Sequence, residues 1–205
     1  MKLYYAPAAS SLGPHIALLE AGLKFSLVKV DLKTKLLSDG TDFKEINPLG
    51  YVPALQLKNG EVLTECPAIL QYIADQSPAS NLAPANGSFA RYKLQSLLNF
   101  IATELHKNFS PLFDPTSVDA AKQNAIHKLQ QRFSTIEGML AKAVYLSGEQ
   151  FTLADIYLFN VCLWARLVKF DLTSYPSLQT YLEQIAQRPA VRQALQEEGL
   201  LRHGE

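Results

Sequence analysis

Strand signals occupy the first eighty residues of this chain and then stop, and that break constrains the fold more than any other feature. Residues 2–6 form a short apolar run of the kind a buried strand makes. Residues 11–22 read as a helix, with Leu12, Ile16, Leu18 and Leu19 on one side and Gly22 placed to stop it. Residues 25–30 suggest a second strand. The sharpest local signal is Asn59-Gly60 between two alternating runs, which predicts a two-residue hairpin turn with positive φ at both central positions. Strands at 54–57 and 61–63 should then pair antiparallel. Pro67 stands where a helix can begin, and Ile69, Leu70 and Ile73 follow at helical spacing. Strand, helix, strand, connection, hairpin, helix is the order of a small mixed sheet with helices packed on it.

From about 76 to 88 the composition turns to Ser, Pro, Ala, Asn and Gly, the mark of a linker. Helical patterns alone follow, at about 89–108, 117–143, 153–170, 177–187 and 190–197. Thr152 and Asp155 have the spacing of a capping box at the start of the third, with Phe151 and Ile156 at the positions of a hydrophobic staple. The expected division is a mixed domain at 1–80, a linker at 81–87 and an all-helical domain at 88–205.

Lys plus Arg number 19 and Asp plus Glu number 19, so the formal net charge is zero. No basic excess points to nucleic acid or an anionic membrane surface. The start, MKLYYAPAASS, lacks the apolar run of a signal peptide, and no segment approaches the roughly 20 apolar residues of a membrane span. The expectation is a cytoplasmic protein. Cys66 and Cys162 lie far apart and suggest neither a disulfide framework nor a metal site. His15, His127 and His203 are scattered, and no nucleophile–base pairing or phosphate-binding glycine pattern occurs.

Four groups of residues could carry chemistry. Val52-Pro53, at the entry to a strand, reads either as an edge-strand proline or as a cis peptide bond that turns the Val52 backbone toward an extended peptide ligand. Glu65 and Cys66 stand at a helix start. Glu65 is either a partner of the helix dipole or a receiver of a ligand ammonium, with the Cys66 amide taking a carboxylate. Ser10 and Ser11 follow the first strand, and either hydroxyl could cap the helix or stabilise a bound thiolate. Asn99, Thr103 and His106 have i, i+4, i+7 spacing and should form a polar stripe on one helix face.

Taken together, MKLYYAPAASSLGPHIALLEAG, INPLGYVPAL, LTECPAILQYIAD, FIATELHKNFSPLF and FTLADIYLF resemble segments of the glutathione S-transferase family, specifically its bacterial beta class, in order and spacing along essentially the whole chain. The resemblance implies a thioredoxin-like N-terminal domain followed by an all-helical C-terminal domain that forms the pocket for an electrophile. It implies that Val52, before a cis Pro53, binds the cysteinyl backbone of glutathione. Glu65 and the Cys66 amide would hold the γ-glutamyl end, and Lys35 would face the glycine carboxylate. Asn99, Thr103, Glu104 and His106 match helix positions lining the site, some of which reach the neighbouring subunit's ligand, so a homodimer is implied. Trp164 reads either as a wall of the electrophile pocket or as core. The beta class has cysteine at the position of Ser10. With serine there, the expectation is conjugation of the glutathione thiolate to small hydrophobic electrophiles, supported by Ser10, Ser11 and His106. A glutathione-binding protein with little activity is the alternative.

Overall fold

The computed structural model describes residues 1–201; residues 202–205, His203 among them, lie outside the description. The described residues form two compact units, one of residues 1–82 with 188–201, the other of residues 83–187.

In the first unit four strands form one sheet in the order β2-β1-β3-β4. β1 (Lys2–Tyr5) runs parallel to β2 (Ser26–Lys29), and α1 (Leu12–Glu20) makes the crossover between them. β3 (Ala54–Gln56) pairs antiparallel with β1, and β4 (Val62–Thr64) antiparallel with β3. Successive strand side chains point to opposite faces. Leu3 and its partner Leu55 are therefore buried on one face, while Tyr4 and Ala54 join Val30 and Phe43 in a cluster on the other. α2 (Cys66–Gln76) buries Ile69, Leu70 and Ile73 at the predicted spacing. This is the small mixed sheet that the sequence pattern predicts, in the thioredoxin-like arrangement that the resemblance implies.

The hairpin differs in its turn. The Gly60 amide donates to the Leu57 carbonyl at 3.1 Å and the Leu57 amide to the Glu61 carbonyl at 2.8 Å, which makes residues 58–60 a three-residue loop. Only Gly60 has positive φ, at 90°, so the turn is followed by a glycine bulge rather than built from two left-handed residues. Asn59 instead bonds Glu61 through both ends of its amide, at 3.1 and 2.6 Å. Asn-Gly is compatible with both loops, and the strand register selects the longer one.

α8 (Pro189–Glu197) also departs from the sequence division, because it packs on α1 within the first unit. Val191, Ala194 and Leu195 are buried. Arg188 grips Glu20 with two bonds, at 2.7 and 2.9 Å. His15, with no exposed surface, bonds Glu198 through Nδ1 at 3.0 Å and Glu197 through Nε2 at 2.9 Å. These partners lie more than 160 residues apart in the chain, beyond the reach of any periodicity.

The second unit is helical: α3 (Phe89–Phe100), a π-helical turn at Ile101–His106, α4 (Lys107–Phe113), α5 (Asp119–Leu140), α6 (Leu153–Leu167) and α7 (Pro176–Ala186). The Ser88 hydroxyl caps α3 by accepting from the Arg91 amide at 3.1 Å. The predicted capping box of α6 is present, and Asp155 does more than cap. Its buried carboxylate accepts from the Thr152 amide (2.7 Å), the Leu146 amide (2.9 Å) and the Tyr181 hydroxyl (3.0 Å), tying the preceding loop and α7 to the start of α6.

Candidate functional site

The turn that leaves β1 brings both serines to the start of α1 but separates their roles. Ser11 is fully buried; its hydroxyl accepts from the Ala6 amide and donates to the Ala6 carbonyl, both at 3.2 Å. It makes no side-chain cap of α1, so Ser11 clasps the turn and neither caps the helix nor offers its hydroxyl to a ligand. Ser10 is 8% exposed and donates its hydroxyl to the Val52 carbonyl at 3.1 Å. The Val52-Pro53 bond is cis, the backbone geometry of the second sequence reading. The first helix start and the strand-entry loop, 42 residues apart, thus meet at a serine hydroxyl.

Two more of the predicted residues in this unit carry unusual backbone. Glu65 has φ 66° and ψ 118°, outside the common left-handed well, with its side chain exposed at the N-terminus of α2. Such strain costs on the order of 1–3 kcal/mol and tends to gather at ligand sites. Pro67 has no amide hydrogen and the Ala68 amide donates to the Glu65 carbonyl at 3.1 Å, which leaves the Cys66 amide as the first-turn donor at the positive end of the α2 dipole. Burial, then the charge of Glu65, pushes the Cys66 thiol well above its ordinary value, so it offers no nucleophile. Lys35 has φ 62°, and its ammonium lies 5.8 Å from the centre of the Tyr51 ring. An open depression of about 660 Å³ in the same unit is lined by Ala6, Pro7, Lys29, Val30, Thr34 and Leu37, among others.

In the helical unit the expected polar stripe is broken by the π-helical turn. That turn widens the helix just where the i, i+4, i+7 alignment needs α geometry. Asn99 and Thr103 are exposed, and the Thr103 hydroxyl back-bonds to the Asn99 carbonyl at 3.0 Å. Glu104 pairs with Arg132 at 2.6 Å. His106 is turned elsewhere. Its Nδ1 lies 2.7 Å from the Tyr157 hydroxyl, and its ring stands at 83° to Trp164 with centroids 4.5 Å apart. Trp164 is 6% exposed and packs edgewise on Phe109 and Phe113, so it belongs to the aromatic core that seats His106.

Burial, with a smaller contribution from the Lys107 charge, pulls the His106 pKa down from 6.5 to about 4. The ring is neutral at pH 7 and supplies a hydrogen bond rather than a positive charge. Because the unfolded chain takes up this proton first, stability present above pH 6.5 is lost as pH falls toward 4, by up to about 3 kcal/mol. An NMR titration should find His106 neutral down to about pH 5, and a His106→Phe variant should lose less stability across that window.

A model of the "Glutathione S-transferase, N-terminal domain" matches residues 9–76, and one of the "Glutathione S-transferase, C-terminal domain" matches residues 100–189. The chain belongs to the glutathione S-transferase family. It is 44% identical over 200 residues to glutathione S-transferase GstA of Escherichia coli O157:H7, covering 98% of this chain and 100% of that protein. Among solved structures, a sphingomonad glutathione S-transferase complexed with glutathione is 50% identical, with a TM-score of 0.94. A bacterial beta class glutathione S-transferase of Sphingomonas chungbukensis is 48% identical, with a TM-score of 0.95. Both comparisons cover 98% of this chain and 100% of the other.

Within this glutathione S-transferase the partners Tyr157 and Tyr51 were not legible beforehand. Tyr157 sits in a helix whose pattern reads as core, and it meets His106 across 51 residues of chain. Tyr51 reads only as a loop residue beside the proline.

Proposed function

We propose that the chain conjugates the thiolate of glutathione to small hydrophobic electrophiles. The observation that carries this reading is the Ser10 hydroxyl at 3.1 Å from the Val52 carbonyl, because it places a hydroxyl beside a backbone segment suited to pairing with an extended peptide. Val52, before Pro53, binds the cysteinyl backbone of glutathione. Glu65 and the Cys66 amide hold the γ-glutamyl ammonium and carboxylate, and Lys35 holds the glycine carboxylate. The Ser10 hydroxyl leaves Val52 and donates to the sulfur, and His106 donates a second hydrogen bond. Asn99, Thr103 and Glu104 line the ligand, in part from a neighbouring copy. The all-helical domain forms the pocket that receives the electrophile.

Each pKa unit by which donors lower a thiol corresponds to about 1.4 kcal/mol and a tenfold gain in thiolate. Conjugation of an aryl halide should therefore fall about tenfold in Ser10→Ala, with glutathione affinity within a few-fold of wild type. A wild-type protein that binds glutathione and conjugates no electrophile would make this a binding protein instead.

The chain acts as a homodimer. Leu49, Tyr51, Phe89 and Tyr92 are each more than half exposed, large apolar groups that a second copy covers. Analytical ultracentrifugation should find twice the chain mass. Detoxification in the cytoplasm fits this activity, and no helix among the described residues is long and apolar enough to cross a membrane.

Lys35 depends on Gly50. Gly50 has φ +64°, and a Cβ there would stand 3.3 Å from Lys35 Cδ. Gly50→Ala should cost about 1–2 kcal/mol of stability from the left-handed backbone alone. It should also displace the lysine stem and weaken glutathione binding several-fold in a calorimetric titration; unchanged affinity would remove Lys35 from the site.

A further inference from the structure

We infer that Tyr157 is a positioning residue: its hydroxyl donates to Nδ1 of His106 and thereby keeps the imidazole proton on Nε2, as a donor for a ligand sulfur. The role rests on the reading above that His106 serves the glutathione thiol; the tautomer itself does not.

The contact is Tyr157 Oη to His106 Nδ1 at 2.7 Å. A neutral imidazole has one nitrogen that donates and one that accepts, and burial holds this ring neutral at physiological pH. A phenol is a stronger donor than a neutral imidazole N–H, and a bare imidazole nitrogen is a stronger acceptor than a phenol oxygen. The separation also sits at the short end of the N–H···O range and at the usual length for a hydroxyl donor. The shared proton therefore belongs to Tyr157, and the proton of the ring itself belongs to Nε2.

The ring is held as well as polarised. Tyr157 and Trp164 are seven residues apart in α6, two helical turns, so both face His106 from one side of that helix. Tyr157 is 1% exposed, and Trp164 is backed by Phe109 and Phe113 at 5.8 Å each. His106 ends the π-helical turn, and that turn is what swings it off the Asn99–Thr103 line and onto α6. A donor mounted on packed helices keeps its direction better than one on a loop. No other hydroxyl is bonded to the His106 ring among the described contacts, so removing the Tyr157 oxygen removes the bias between the two tautomers.

The direct test is long-range nitrogen–proton NMR of the full-length protein without glutathione. Nδ1 of His106 should resonate as a bare, pyridine-type nitrogen and Nε2 as a protonated one. In Tyr157→Phe the two signals should move toward averaged values, while the thermal unfolding transition shows that the variant folds. With glutathione and an aryl halide, Tyr157→Phe should lower kcat about three- to tenfold, a part of what one hydrogen bond to a charged group is worth, with KM for glutathione changed less than about twofold. The double variant Tyr157→Phe/His106→Phe should be no slower than His106→Phe alone.

A wild-type spectrum with the proton on Nδ1 overturns the inference without recourse to any variant. So does a Tyr157→Phe protein whose spectrum and kcat match wild type. If His106→Phe conjugates at the wild-type rate, the role of His106 fails, and the positioning role of Tyr157 falls with it. An Nε2–H spectrum in that case locates the failure in the chemistry and not in the tautomer.

Discussion

Ser10→Cys should give a protein that forms a mixed disulfide with glutathione at residue 10, which a serine there cannot do. The introduced thiolate attacks one sulfur of glutathione disulfide; the S–S bond breaks, a disulfide forms between position 10 and glutathione, and one glutathione leaves as thiolate. A free glutathione thiolate can then attack the mixed disulfide and release the introduced thiol again. The rate depends on thiolate supply. An ordinary thiol of pKa about 8.5 is about 3% ionised at pH 7, and lowering by about one unit at a helix N-terminus raises that to about a quarter. Residue 10 stands just before α1 (Leu12–Glu20), where the dipole favours an anion. Competition from native thiols is negligible: Cys66 and Cys162 are buried, and burial raises both thiols. Intact-mass analysis after incubation with glutathione disulfide should show one adduct in the variant, mapping to position 10, and none at that position in wild type. The expectation is lost if the variant folds and binds glutathione yet forms no adduct, or if the serine protein reduces mixed disulfides as fast.

Glu198→Ala should be the most destabilising of the changes considered, by about 2–3 kcal/mol in denaturant unfolding, the range for leaving a buried polar group without its hydrogen-bond partner. The Glu198 side chain is fully buried. It accepts from the Ala8 amide at 3.1 Å and bonds His15 Nδ1 at 3.0 Å, so its loss takes a partner from the turn and from a fully buried ring nitrogen. Ala8 has φ 62° and lies in the turn that carries Ser10 and Ser11. The truncation should therefore also loosen the thiol site and slow conjugation. Glu197→Ala is the control, because Glu197 is 38% exposed and its bond to His15 Nε2 lies near solvent. It should cost less than about 1 kcal/mol. Equal effects of the two would mean that burial does not decide the energetics of this cluster.

The same split between local and distant causes governs what could be read in advance. Strand and helix order, the stop at Gly22, the capping box of Thr152 and Asp155 and the helical stretch after residue 88 depend on residues within about a turn of one another, and the chain carries those signals whole. The candidate residues Ser10, Val52, Pro53, Glu65, Cys66 and His106 could be named from residue type and position, and Lys35 from the resemblance to the family. Their states could not. Whether Ser10 or Ser11 offers its hydroxyl depends on the Val52 carbonyl in one case and the Ala6 backbone in the other. The hairpin loop depends on strand register. The stripe at Asn99, Thr103 and His106 assumed an unbroken α-helix, and residue spacing carries no signal for the π-helical turn at Ile101–His106.

By itself the sequence determined the two kinds of unit, through periodicity and residue type, and the family, through the resemblance of whole segments in order and spacing. Tertiary structure alone decided that α8 joins α1, that Ser11 is structural and that His106 is a neutral ring held by Tyr157 and Trp164. Hydrogen-bond partners and desolvation are properties of neighbours in space, which lie only five residues away for Ser11 but 51 for His106 and 183 for His15.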